Sequence, residues 1–276
     1  ATILHGDGSR PVITAQSGSL RRDTVVEALA VTGGGGPRGG GVFVQSGAAP
    51  TLRHVSIYGN TVQRYGGGVA VIEGGDLLLE DALVRDNTAF GGAGISIANG
   101  RATVRASRIE NNTVSSEGGG ISVGDGSTVT LDSVVLIGNR ANLGGALSIT
   151  DASVSIVASQ FERNLAHLSG GAIRAVTGTH LFVDGSRFVG NVTETINGGA
   201  MYLTEARPKI ASGPKAWPAT AGGRHRRPGQ GGSLPSGKIS RAIRYMLPEK
   251  TCRNSCTVLT NGPIRSSVLW AVLAPG

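Results

Sequence analysis

Cysteine is all but missing from this chain of 276 residues. Its only two are Cys252 and Cys256, so a disulfide framework is excluded for everything before them and cysteine usage gives no reading of redox compartment. Aromatics are as scarce, with 5 Phe, 4 Tyr and 2 Trp, which leaves an ordinary helical bundle or doubly wound sheet little to fill its core with. Lysine does not occur in residues 1–204. No apolar run approaches the roughly 20 residues that span a bilayer as a helix, and the stretch from Ser267 to Ala274 falls far short. The chain starts at Ala1 with no Met and no signal-like h-region, so any export signal is expected to have been removed or to lie outside this sequence.

Glycine is what the chain has instead, 45 residues, far above the usual ~7%. Such a share points to collagen, disorder or a turn-dense repeat. A strict Gly-X-Y period is absent, which excludes collagen. With 39% hydrophobic and only 16% charged residues, the composition is the opposite of a solvated, disordered chain.

The formal charge of +8 does not describe the whole molecule. Residues 1–204 hold 14 Arg and 16 Asp plus Glu, 14 − 16 = −2, whereas residues 205–276 hold 12 basic and 2 acidic residues, 12 − 2 = +10. The second segment also has both Trp, both Cys, all four Lys and eight of the eleven Pro, yet no Asp and no Phe. Two compositional regimes meet near Glu205. The first, 1–204, is read as one domain. The second, 205–276, is read as an irregular Pro/Gly/Arg-rich tail, of the kind that translation of GC-rich DNA in a shifted frame produces, with a Pro-rich linker as the conventional alternative.

The first regime repeats. A Gly-rich triplet followed by an aliphatic residue recurs with that residue at Val42, Val69, Ile95, Ile121, Leu147, Ile173 and Met201, spaced by 27, 26, 26, 26, 26 and 28. Asparagine recurs out of phase with it, at Asn60, Asn87, Asn112, Asn139, Asn164 and Asn191. After each triplet apolar residues alternate, as in Val69/Val71 and Ile95/Ile97, the period of a strand with one buried face. Two further apolar columns stand eight and three residues before each Asn: Leu52, Leu79, Val104, Leu131, Ile156, Val183 and Ile57, Val84, Ile109, Leu136, Phe161, Phe188.

Three short strands in about 26 residues, with no helical periodicity between them, predict an all-β parallel β-helix, a solenoid of about seven visible coils. A leucine-rich repeat is the rival of similar period, but it needs an L-x-x-L-x-L consensus and a helical return, and neither is present. With coils about 4.8 Å apart the rod is roughly 35 Å long. The six asparagines are read as a structural ladder in which each amide donates to the carbonyl of the Asn one coil below. A catalytic or metal-binding residue is needed once rather than in every turn.

These residues carry a resemblance. The segments GGAL at 144–147 and GGAI at 170–173, with FERN at 161–164 and FVGN at 188–191, resemble the GGA[I/L/V] and F-x-x-N repeats of the polymorphic outer membrane proteins. More broadly, the opening ILHGDGSRPVITAQSG is similar to the first coils of secreted bacterial right-handed parallel β-helix repeat proteins. The resemblance covers residues 2–204. It implies a right-handed tube, export, and exposure outside the cell or at the outer-membrane surface, commonly as an adhesin.

Many parallel β-helices are polysaccharide lyases or hydrolases, and fold alone does not separate them from scaffolds. A lyase of this shape needs a basic residue beside carboxylates that hold Ca²⁺. A hydrolase needs two carboxyl groups roughly 5–9.5 Å apart. The outward column Arg53, Glu80, Arg105, Asp132, Val157, Asp184 supplies the candidates: Arg105 beside Asp132, or Asp132 with Asp184 two coils on, at about 9.6 Å. The same column also reads as an alternating charge ladder that fixes register. His54, His167 and His180 fall at different phases of the repeat and predict no shared metal site. Cys252-x3-Cys256 lacks further zinc ligands nearby, and Arg224-His225-Arg226-Arg227 lacks the aromatic interleaving of a nucleic-acid surface. The outward neighbours on the strand after glycine, Ala70, Ser96, Ser122 and Ser148, predict a flat, chemically quiet face. The expectation is therefore an exported, noncatalytic adhesin or structural scaffold, without cofactor, nucleic acid or membrane-spanning segment, whose partner is a host or cell-surface protein or glycan. A polysaccharide lyase or glycoside hydrolase on the outer face is the alternative, and only there does Ca²⁺ enter.

Overall fold

A computed structural model describes residues 2–195 and 197–211. Every regular element among them is a strand, and every strand pairing is parallel. Three sheets of eight strands and one of five run along the tube, and each strand pairs with its counterpart one coil away. No helix among the described residues is long and apolar enough to cross a membrane.

The columns anticipated from the sequence form ladders in register. Val69 pairs with Ile95 and Ile95 with Ile121 in the glycine-side sheet, while Leu79 pairs with Val104 and Val104 with Leu131 in the sheet that carries the charged column. Val84, Ile109, Leu136 and Phe161 follow one another in the asparagine-side sheet. All of these residues are buried in one continuous core. Phe161 stacks on Phe188 with centroids 4.8 Å apart and planes 14° from parallel, so like packs on like even where the column turns aromatic.

There are eight coils, not seven. The first coil is formed by Thr2–His5, Ile13–Gln16 and Val25–Glu27, and no glycine triplet marks it. The middle coils also have a fourth strand that the three-strand reading missed: Thr88–Ala89, Thr113–Val114, Arg140–Leu143, Leu165–Ser169 and Val192–Thr193. It follows the asparagine turn and buries the second residue after each Asn: Val62, Ala89, Val114, Ala141 and Ala166. This column mixes Val and Ala, and three of the strands after the asparagine turn are only two residues long, too short to show a period.

The solenoid also outlasts the expected boundary at 204. Arg207–Ala211 pairs residue for residue with His180–Asp184, although all five of its residues are exposed. The readings placed on Cys252, Cys256 and Arg224 to Arg227 lie outside the described residues.

Candidate functional site

The asparagine column is a structural ladder, as the repetition suggested. Asn60, Asn87, Asn112, Asn139 and Asn164 are fully buried, and Asn191 is half-buried near the last coil. From Asn60 to Asn164 each side-chain NH₂ donates to the Oδ1 of the Asn in the following coil, at 2.8–3.0 Å, and the backbone N–H donates to that same oxygen. The second NH₂ proton goes to a carbonyl of the preceding coil, for example from Asn139 to Ile109 at 2.9 Å and from Asn164 to Leu136 at 2.9 Å. Each amide thus donates one proton toward the following coil and one toward the preceding coil, and from Asn87 to Asn164 both donor protons and both lone pairs are used.

The charged column exists in register, from Glu27 through Arg53, Glu80, Arg105 and Asp132 to Val157 and Asp184. Its side chains do not converge on one point. Arg53 grips Glu27 through two hydrogen bonds of 3.0 and 2.9 Å, and His54 approaches the same carboxylate at 3.3 Å. The Arg53 hydrogen bonds, followed by the His54 contact, hold the Glu27 carboxyl below its ordinary value. Arg105 turns to Glu80 at 3.5 Å rather than to Asp132, whose Oδ1 accepts from Ser133 at 3.0 Å. Asp184 lies two coils beyond Asp132 with Val157 between, so the structure lines these three candidates along the tube without gathering them.

The glycine-side sheet departs from the flat face expected of it. Ala70, Ser96 and Ser148 point outward, yet they are 0%, 6% and 1% exposed. The cause lies in the first glycine of each triplet. Gly66, Gly92, Gly118 and Gly144 have φ between +56° and +72°, which folds the preceding segment up beside the sheet. That segment forms a wall, bridged between coils at Arg38–Tyr65, Tyr65–Gly91 and Glu117–Leu143. The turns after the sheet strands form the opposite rim.

Between wall and rim runs a trough of about 430 Å³ over Val69–Ile72, Ile95–Ala98, Ile121–Gly124 and Leu147–Thr150. Tyr65 stands on its wall, with Phe90 edge-on at 6.2 Å. The Tyr65 ring lies so close to Gly91 that a Cβ there would come within 2.9 Å of it. Glu117 is the wall's carboxylate. It accepts from Ser148 Oγ at 3.0 Å and meets Arg174 at 3.5 Å, reaching across coils. Ser96 and Ser122 lie on the floor, and Glu73, Asn99, Asp125 and Asp151 stand on the rim, one per coil. Sequence reasoning missed this site because it rests on residues immediately before each triplet, Arg38, Tyr65, Gly91, Glu117 and Leu143, which share no chemistry and so form no visible column.

Among the described residues no group of three or more His, Cys, Asp or Glu side chains is placed to hold a metal ion. His54 and His167 instead contact carboxylates, Glu27 and Glu194 respectively.

Parallel coils of this length, stacked on an asparagine ladder, define a β-solenoid. The family model for the right handed beta helix region matches residues 13–161, over half of the chain, and the chain belongs to that family. The tube is accordingly right-handed, and membership fits both a repeat scaffold and a lyase- or hydrolase-type fold. Searches of curated proteins and of solved structures return no significant match.

Proposed function

We propose that residues 2–211 form an exported, noncatalytic recognition scaffold, exposed at the cell surface or outside the cell, whose rigid outer faces bind a cell-surface protein or glycan. The observation that carries the reading is the unbroken register. Residue-for-residue pairing runs through coil after coil on three eight-stranded sheets, with Arg53 and Arg105 of the candidate column paired along the axis to Glu27 and Glu80. Such a surface presents the same chemistry over a length instead of concentrating it at a point. The repeats GGAL at 144–147 and FERN at 161–164, similar to those of polymorphic outer membrane proteins, support the surface location.

The alternative is a glycan-active enzyme, and one observation favours keeping it. The trough gathers Glu117, Arg174 and the rim carboxylates on a single face. Incubating the full chain with neutral and acidic polysaccharides, with and without Ca²⁺, separates the two readings. Saturable binding to cells or glycans with the polymer recovered intact supports the scaffold. Turnover abolished by Asp132→Ala or Glu117→Gln replaces it with the enzyme.

A further inference from the structure

The trough has a chemical character that selects among ligands. Five formally charged side chains line it directly, the carboxylates Glu73, Glu117, Asp125 and Asp151 against the single guanidinium Arg38. Arg174, the neighbouring cation, is already engaged by Glu117. With Glu117 offset by Arg174, the rest of the lining is net negative, −3 + 1 = −2. A concave site lined by one sign of charge raises the local concentration of the opposite sign and repels its own.

Spacing narrows the class further. The rim residues Glu73, Asn99, Asp125 and Asp151 follow the coils, so their polar groups recur about every 4.8 Å over a run of roughly 14 Å. An extended peptide advances about 3.3 Å per residue and presents side chains to one face every second residue, about 6.6 Å, out of step with that rail. An extended β-linked chain of sugar rings turns its 2-substituent to the same side every second ring, close to two coil spacings, which is the separation of the carboxylates Glu73 and Asp125. The wall adds an aromatic surface in Tyr65, held by Phe90 and by the close approach to Gly91. The floor adds short hydroxyls at Ser96 and Ser122.

We propose that this trough binds a cationic amino-sugar chain, a glucosamine-type glycan with free amines, with its ammonium groups toward the Glu73–Asp125–Asp151 rim and a ring against Tyr65. The proposal deepens the scaffold reading by naming the ligand class, and it rests on that reading only for the absence of turnover.

The test is isothermal titration of the full chain with a glucosamine tetramer, run beside the N-acetylated tetramer, a tetragalacturonate and tetralysine. The glucosamine tetramer is expected to bind saturably and more weakly as salt rises. Asp125→Asn with Asp151→Asn is expected to lose at least about tenfold in affinity, and Tyr65→Ala to lose affinity at unchanged salt dependence. Asn tolerates the left-handed backbone at both rim positions, φ +55° and +49°, so the double variant keeps its fold, checked by its melting curve, and Glu73→Gln provides a second variant. The proposal is overturned if the folded chain shows no saturable binding of the glucosamine tetramer, or if that binding ignores the rim substitutions. It is equally overturned if tetralysine or the N-acetylated tetramer binds as tightly. Hydrolysis of the bound glycan would instead refute the noncatalytic reading and leave the ligand assignment standing. Adhesion to cells that persists without amino-sugar binding would refute only the ligand assignment.

Discussion

A ladder asparagine is confined by its own bonding capacity. At Asn164, Oδ1 accepts the backbone N–H and the side-chain NH₂ of Asn139, both at 3.0 Å, and its own NH₂ donates to Leu136 and Asn191. Replacing it with alanine strands two buried donors and a buried carbonyl at once. Asn164→Ala is expected to lower unfolding free energy by about 1–3 kcal/mol, and Phe161→Ala, which empties the fully buried side of the aromatic stack, by about 3–5 kcal/mol; urea midpoints measure both. Surface charges act differently. The Glu27 carboxyl titrates below its ordinary 4.5 in the folded state because Arg53 and then His54 bind its ionised form. A depressed folded value means that the stabilisation is present above the unfolded pKa and is lost as pH falls through the folded one. The difference in urea midpoint between the wild type and Glu27→Gln should therefore be small at pH 7, begin to shrink as pH falls past about 4.5, and vanish only below the depressed folded value.

At the scale of elements, close packing of one coil on the next decides what each turn tolerates. A Cβ on Gly145 would lie 2.3 Å from the Gly171 carbonyl oxygen and 2.6 Å from that of Leu165, and neither backbone atom can move without parting coils. Gly145→Ala is expected to cost on the order of 3–5 kcal/mol. Gly126→Ala, where nothing lies within 4 Å and only the φ of +71° is unfavourable, is expected to cost on the order of 1 kcal/mol. Thermal melts of the pair compare steric clash directly with backbone strain. The elements that could be read in the sequence are those whose side chains repeat in kind. Val104, Leu131 and Ile156 announce a buried strand because each coil needs the same apolar group in the same place. The strand Thr88–Ala89 could not be seen that way, since two residues carry no period and Ala89 and Val114 differ in size. Buried hydroxyls were invisible for a related reason. Ser107, Ser159 and Ser186 accept the backbone N–H groups of Ala82, Val134 and Ser159 at a corner where the other coils carry Val55, Ala82 and Val134 instead. The trough is the limiting case, because a site that must meet a ligand varies from coil to coil. Tyr65, Gly91 and Glu117 occupy equivalent places and look unrelated in the sequence.

Along the tube, stability is close to a sum over coils and their interfaces, since every strand pairs only with its counterparts in the adjacent coils. The composition break near Glu205 falls at the last described coil. The ladder runs on to Ala211, but as an exposed strand that includes Pro208, which cannot donate to a further pairing. Reading the nucleotide sequence past codon 204 in the other two frames tests the shifted-frame proposal. A resumed Gly-Gly-Ala and F-x-x-N pattern supports it, and the lack of that pattern in both frames removes it. The central claim concerns what the stack does, a rigid right-handed tube that recognises without reacting. It is tested most directly by equilibrating the purified full chain with bacterial or host cells and with a panel of glycans, in the presence and absence of Ca²⁺, while bound protein and released sugar are both quantified. The account predicts saturable binding with every glycan recovered at its original length. New chain ends that accumulate with time, and that disappear in Asp132→Ala or Glu117→Gln, would contradict it.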